Sequence, residues 1–303
     1  MMTRVSKPAS FRVRFWGVRG SYPTSEHNTL AFGGHTSCVE VEVAGHHLLF
    51  DAGTGIIPLG EKLVNDGIRS RSLHLFLSHT HHDHLLGIYF FQPLFRSGSR
   101  VAIFGPGFSG RSLKSTLQTV MEPRFFPVEL SAVTAQTKIY SLRGGECVRL
   151  GGPRTLPRVD RRDHAPSAED VTVMVHKSLA HPSGVLLYRV SYRQKSLVYA
   201  TDVEQKRDGN PDAIEFFRGA DLLIHDAQYL QAEYLSRSNS RRGWGHSTAE
   251  RAVRVARKAG VKRLILFHHD PDHDDRTLKR IERLSQRLLP STRVAYEGLE
   301  IKL

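Results

Sequence analysis

Cysteine is nearly absent from this chain of 303 residues: Cys38 and Cys147 stand far apart and outside any CxxC spacing. That excludes a disulfide framework and a thiolate zinc site, and it points to a reducing cytoplasm. No run of about eighteen apolar residues occurs, so no membrane-spanning helix is expected; the longest candidate covers residues 85–91. Residues 1–10 are polar and basic without the apolar segment of an export signal, and are expected to be flexible. Solenoid repeats are missing, as are RRM, KH and zinc-finger signatures. Acidic residues are in deficit, 30 against 43 Lys and Arg, for a formal charge of +13. Such a field attracts nucleic acid and steers anionic substrates of any size, although a solvated basic face gives the same count. Hydrophobic residues make up 40%, enough for a sizeable core.

What the chain has is histidine. Its densest run is Phe76-Leu77-Ser78-His79-Thr80-His81-His82-Asp83-His84-Leu85-Leu86-Gly87. An apolar, strand-like segment over 73–77 stops at five ionisable side chains in six positions, a crowding that costs stability unless something compensates. Two bound metal ions would compensate, since imidazole and carboxylate suit zinc, manganese or iron, and a strand end entering a tight loop splays alternate side chains towards one point. His79 and His81 can share one ion while Asp83 and His84 turn to another. A histidine-rich surface loop is the plainer alternative. It fits a lone HxH better than HxHxDH directly behind an apolar strand.

Other polar residues stand at strand ends. Residues 11–15 alternate as a half-buried strand does, and residues 39–43 and 47–50 are spaced as an antiparallel hairpin closed by Asp51-Ala52-Gly53-Thr54-Gly55, before a helix over 58–66. Asp51 can support the metal loop from behind or simply cap its turn. Residues 101–104 read as a buried strand, 111–121 as a helix, and the aromatics of 124–128 as core sooner than pocket lining. The stretch 144–170, rich in Gly, Pro, Arg and Asp, is expected to be loop, either mobile beside a site or inert. Strands follow over 171–176, 184–190 and 196–199. His181 precedes the turn Pro182-Ser183-Gly184, Asp202 follows the apolar run 197–201, and Asp226 follows 222–225. Several such residues at successive strand ends mark a sheet edge where a site gathers. Ser247-Thr248-Ala249-Glu250 reads as a capping box opening a helix that ends at Gly260. His246 then stands at a helix N-terminus, where the dipole favours an anion and a largely neutral imidazole. Residues 264–267 form a buried strand running into His268-His269-Asp270, and Leu278, Ile281, Leu284 and Leu288 mark a last amphipathic helix. Strands first, then helices interleaved with strands, make a layered α/β sandwich.

Taken together, Phe15-Trp16-Gly17, Leu49-Phe50-Asp51-Ala52-Gly53, His79-x-His81-x-Asp83-His84, His181, Asp202 and His268 resemble the metallo-β-lactamase-fold hydrolases over nearly the whole chain. The run 245–250 with its downstream histidine is similar to their tRNase Z and phosphodiesterase branch. The resemblance implies a four-layer αββα sandwich, one domain over residues 1–303, with two divalent metal ions, zinc or else manganese or iron, at one edge. By motif it implies His79, His81 and His181 on the first ion, Asp83, His84 and His268 on the second, and Asp202 between them. His269 rivals His268, but the family's histidine directly follows the apolar strand. His246 matches the branch's helix-capping histidine, placed to contact a phosphate oxygen or assist the leaving group, and Asp226, where tRNase Z usually has glutamate, would orient it. The chain departs from tRNase Z in lacking a long glycine- and proline-rich arm of the kind that grips tRNA. It is also too short for the added domain of β-CASP nucleases, has no cysteine at a metal position, and lacks the HxExD form of flavo-diiron oxidoreductases. What remains resembles hydrolases of cyclic nucleotides and small phosphodiesters, and relatives suggest a homodimer.

The expected activity is hydrolysis of an anionic phosphodiester, a cyclic nucleotide or other small diester or RNA, by a hydroxide bridging the ions, with Asp83, His246 and Asp226 in catalysis. Two divalent ions, offset by two aspartates and one hydroxide, leave about +1 for the substrate. A glyoxalase II-like thioesterase or a lactonase needs the same metal set, and a metal-stabilised nucleic-acid-binding module also suits the basic charge. The anion-holding helix terminus behind His246 favours phosphate, and the complete ligand set favours catalysis.

Overall fold

Two mixed sheets pack face to face in the computed structural model, which describes residues 11–67, 72–152, 155–161 and 170–303. The expected flexible stretch 1–10 lies outside these. β1 (Phe11–Gly17), β2 (Cys38–Val43), β3 (His46–Phe50), β4 (Ser72–Phe76), β5 (Arg100–Pro106) and β6 (Gln136–Leu142) join β15 (Glu300–Lys302) in the order β15-β1-β2-β3-β4-β5-β6. The second sheet takes β7 (Cys147–Leu150), β8 (Arg158–Asp160), β9 (Val171–Ser178), β10 (Val185–Tyr192), β11 (Lys195–Ala200), β12 (Leu222–Asp226), β13 (Leu264–Phe267) and β14 (Thr292–Val294), in the order β14-β13-β12-β11-β10-β9-β7-β8.

Each sheet is half antiparallel and half parallel, and the parallel halves, β3 to β6 and β11 to β14, are where helices cross over. α1 (Ile56–Asn65) and α2 (Leu113–Val120) cover the first sheet; α3 (Pro211–Phe217), α5 (Ala249–Lys258) and α6 (Asp275–Leu288) cover the second, with the single turn α4 (Gln231–Tyr234) between. The result is the expected αββα sandwich. Period-2 alternation explains how a basic strand serves it: β1 buries Phe11, Val13 and Phe15 while Arg12, Arg14 and Trp16 stay half-buried on the other face. Between the sheets Phe50, Phe76, Phe104 and Tyr140 stack in a row along β3 to β6, with centroids 4.7 to 5.4 Å apart. Truncating Phe76 to alanine there costs about 3–5 kcal/mol. No helix among the described residues is long and apolar enough to cross a membrane.

Three sequence expectations need correcting. The stretch 144–170 is not simply loop: β7 and β8 lie in it and pair with each other, and β7 with β9, although residues 153–154 and 162–169 fall outside the described ones. These strands are short and mixed in polarity, which hides them from apolar-run reasoning. The helix after His246 is not opened by a capping box at Ser247. Thr248 is its N-cap, accepting from Arg251 N, because the Ser247 hydroxyl is taken by Val203 O at 2.7 Å and Gln205 N at 2.9 Å. Phe125 is not core but 65% exposed, while Phe126 packs on Tyr89 with centroids 4.9 Å apart.

Candidate metal centre

The carboxyl ends of the parallel strands of both sheets meet at one edge, the place where open α/β sheets present ligand-binding loops. Parallel register sets Phe50 beside Phe76, Ala200 beside His225 and Asp226 beside Phe267. The chain leaving these ends therefore delivers Asp51, the 78–84 loop, Asp202 and His268 to one spot. Asp51, Asp202, His268 and the nearby Ser21 have φ between 50° and 64°, four of the seven non-glycine residues with positive φ among those described. Left-handed backbone in such residues is strain, and it persists where surrounding contacts over-determine it.

Two groups of side chains result. His79, His81 and His181 face one another, with His81 Nδ1 3.1 Å from His181 Nε2. Asp83, His84, Asp202 and His268 form the other: His268 Nε2 lies 3.1 Å from Asp83 Oδ2, 3.1 Å from His84 Nε2 and 3.3 Å from Asp202 Oδ1. Asp202 faces both groups, its Oδ1 3.2 Å from His84 Nε2 and its Oδ2 3.6 Å from His79 Nε2. Within each group the ligand-type atoms lie within 4.8 Å of one another.

The donor chemistry fits divalent ions. His79 Nε2 and His181 Nδ1 are buried with no hydrogen-bond partner among the described residues, a costly state for polar nitrogen. Burial pushes the imidazoles of His79 and His81 down, and that of His181 to about 4, leaving them neutral, the form that binds metal. Burial alone would raise the carboxyls of Asp83 and Asp202. The imidazoles of His84 and His268 outweigh it and hold both well below the usual carboxylate range. Burial likewise opposes charge on His84, and Asp202, Asp83 and Asp51 more than reverse that. Another carboxylate–imidazole group, Glu40, Glu42 and His47, lies on β2 and β3, with Glu42 paired to Arg12 at 2.6 Å and Glu40 to the Trp16 indole at 3.0 Å.

The loops are held from behind by Asp51, already a candidate in the sequence, and by Ser78, Tyr199, Gln228 and Ser21, which the sequence did not single out. Asp51 Oδ1 accepts from Ser78 N at 2.6 Å, and Oδ2 from Ser78 Oγ at 2.8 Å, the Tyr199 hydroxyl at 2.7 Å and His84 Nδ1 at 2.7 Å. Between turn cap and metal-loop support, Asp51 is a support. Gln228 Oε1 takes His268 Nδ1 at 3.0 Å while its amide donates to Ser21 Oγ at 3.1 Å, and Ser21 N donates to Asp83 Oδ2 at 2.8 Å. Gln228, two residues beyond the end of β12, is the one of these that strand-end reasoning could have found. His268 rather than His269 enters the cluster. His269 is buried behind it, bonded to Ala295 O at 2.9 Å and pushed down to about 3 by burial and then by Arg19. Two glycines admit the rings: a Cβ on Gly20 would lie 2.3 Å from the His268 ring, and one on Gly245 2.1 Å from His181 Nδ1.

His246 and Asp226 complete the edge. His246 Nδ1 is 2.7 Å from Asp226 Oδ2, and its ring stacks on that of His268 with centroids 5.0 Å apart. The expectation of a largely neutral His246 is overturned. Burial pulls its pKa down, but Asp226, with Asp202 and Asp83 adding, raises it to about 9. A buried carboxylate in contact outweighs the partial charge of a helix terminus.

The sequence signature described as beta-lactamase superfamily domain matches residues 46–269, spanning both halves of this centre. The chain belongs to the beta-lactamase superfamily. Among superfamily relatives, ribonuclease Z of Gemmatimonas aurantiaca is 26% identical over 324 residues, covering 96% of this chain and 95% of its own. Ribonuclease Z of Myxococcus xanthus is 28% identical over 322 residues, covering 96% and 97%. The crystal structure of the metallo-beta-lactamase fold protein YhfI from Bacillus subtilis matches with a TM-score of 0.67 at 19% identity, over 98% of this chain and 100% of that one. With its histidine and aspartate centre, this superfamily member is a hydrolase that depends on divalent metal.

Proposed function

We propose that this chain hydrolyses phosphodiester bonds in RNA, with His79, His81 and His181 holding one divalent ion, Asp83, His84 and His268 a second, and Asp202 facing both. The observation that carries the reading is the buried His246–Asp226 pair stacked against His268: a proton donor stands beside the centre where a leaving oxygen needs one. Alignment with ribonuclease Z relatives over nearly their whole length supports RNA over a cyclic nucleotide. Imidazole and carboxylate without thiolate suit zinc first, with manganese and iron as alternatives.

When bound, the ions supply Lewis-acid stabilisation of the charge that develops on the phosphate. The protein's own groups do the rest. Asp51 accepts from His84 Nδ1 and Gln228 Oε1 from His268 Nδ1, so both rings are fixed with Nε2 turned to the centre. Asp226 likewise holds His246 Nδ1–H, and its charge keeps His246 Nε2 protonated, ready to donate to the departing oxygen. The test is hydrolysis of bis(p-nitrophenyl) phosphate and a short oligoribonucleotide beside a thioester and a lactone, with Asp83→Asn as control. Phosphodiester turnover lost in the control, with circular dichroism unchanged, is the expected result. Turnover of the carbonyl substrates alone would overturn the reading.

A further inference from the structure

Four arginines line one cavity beside the 240–246 segment that leads to His246. Arg207, Arg242, Arg251 and Arg254 line a volume of about 580 Å³ in which Glu250 is the single acidic side chain among the described residues. Two of the four are held by hydrogen bonds. Arg251 Nη1 donates to Gln205 O and, at 3.0 Å, to the Tyr234 hydroxyl, with its guanidinium 4.1 Å from the Tyr234 ring centroid. Arg254 Nη1 donates to Arg207 O at 2.8 Å.

Glu204 ties this cavity to the centre. Its carboxylate accepts from the Tyr234 hydroxyl, from Gly243 N at 3.0 Å and from Gly245 N at 3.0 Å, and Gly245 is the residue whose backbone packs on His181. Arg242 is four residues from His246, a reach of at most about 14 Å. Between them stands Trp244, 49% exposed, with the Arg241 guanidinium 4.5 Å from its ring centroid. That guanidinium also lies 5.9 Å from the Tyr229 ring, which meets His246 edge-on at 5.8 Å.

We propose that the arginine cavity binds a nearby phosphate of the RNA chain that is being cut, with Trp244 stacking on a base between the two sites. The proposal rests on the phosphodiesterase reading above and makes the substrate a polynucleotide. Guanidinium forks match phosphate oxygens in pairs, and an exposed indole accepts any base face. A cyclic nucleotide has one phosphate, and with that at the metal centre nothing remains for the arginines.

The test compares the wild-type protein with the Arg207→Gln/Arg254→Gln double variant, neither residue being in the centre. KM for a single-stranded oligoribonucleotide should rise about tenfold, and the slope of log(kcat/KM) against log salt should shallow by roughly 0.7 for each phosphate that the arginines no longer neutralise. Hydrolysis of bis(p-nitrophenyl) phosphate should not change. Trp244→Ala should raise the oligonucleotide KM alone. Unaltered KM and salt slope in the double variant would overturn the proposal, as would a wild-type protein that cleaves cyclic nucleotides but no oligonucleotide. Should the wild-type protein hydrolyse no phosphodiester, the reading of the metal centre fails. Fluorescence anisotropy of the same oligonucleotide then decides the cavity separately: tenfold weaker binding by the double variant supports it, and equal binding overturns it.

Discussion

His246 Nδ1 and Asp226 Oδ2 meet at 2.7 Å with Asp226 fully buried, so the imidazole carries its proton into the alkaline range. A proton donor matters most for a poor leaving group. His246→Gln should therefore lower kcat on RNA by about 10²–10³ and on bis(p-nitrophenyl) phosphate far less, because p-nitrophenolate leaves without help. Equal losses on both substrates would remove His246 from the proton transfer. The sign of the pH effect follows from the pair. His246 is raised to about 9 and the proposed proton donation needs it protonated, so the rate should fall as pH rises through that value. Asp226→Asn removes the raising charge and should move this alkaline limb to lower pH.

Tyr199→Phe deletes one hydroxyl, the 2.7 Å donor to Asp51 Oδ2. A hydrogen bond to a buried charge contributes about 1.5–3 kcal/mol, so urea unfolding should show a loss in that range. Because Asp51 also holds His84, metal affinity should fall about 10–100-fold. Calorimetric titration of the metal-free protein with zinc reads this directly, and undiminished affinity would make Tyr199 purely a packing residue.

Gly20→Ala should displace His268, whose ring atoms would lie 2.3 to 2.9 Å from the new Cβ. The expected outcome is a folded protein that retains one ion where the parent retains two, counted by elemental analysis. Retention of both would mean that the 20–21 turn shifts instead.

His74 on β4 is 2% exposed, and neither ring nitrogen has a hydrogen-bond partner among the described residues. Burial, with His46 and His47 adding, lowers it from 6.5 to about 3. Its folded value lies below its unfolded one, so between those limits the unfolded chain binds a proton that the folded chain refuses. Stability should therefore fall as pH drops from about 6.5 towards 3, by about 1.4 kcal/mol per pH unit for this group. Urea unfolding at pH 7 and pH 5 measures the slope, which His74→Leu should flatten by one proton.

Much of the centre is legible in the sequence because its densest part is local. HxHxDH sits within six residues behind an apolar strand, and Asp202, Asp226 and His268 each end a recognisable strand. What escapes is whatever depends on distant partners. Tyr199 reads as core until Asp51 is found against it, 148 positions away. His246 reads as neutral until Asp226 is brought beside it, and Ser247 reads as a cap until Val203 and Gln205 claim its hydroxyl. In the fold, the antiparallel hairpins and the parallel units with long helices are visible, while edge strands such as β6 and β8, exposed and mixed in polarity, carry no apolar run to announce them.

Asp83 and His268 touch across 185 positions of chain. A polypeptide made from its N-terminus thus carries His79, His81, Asp83 and His84 through most of its synthesis without the residues that will face them. Any ion captured early would sit in half a cradle, open to solvent and free to leave. The cluster closes only once β13 has been made and has docked beside β12, so on the proposed ligand set the second ion meets all of its residues only in a finished sandwich.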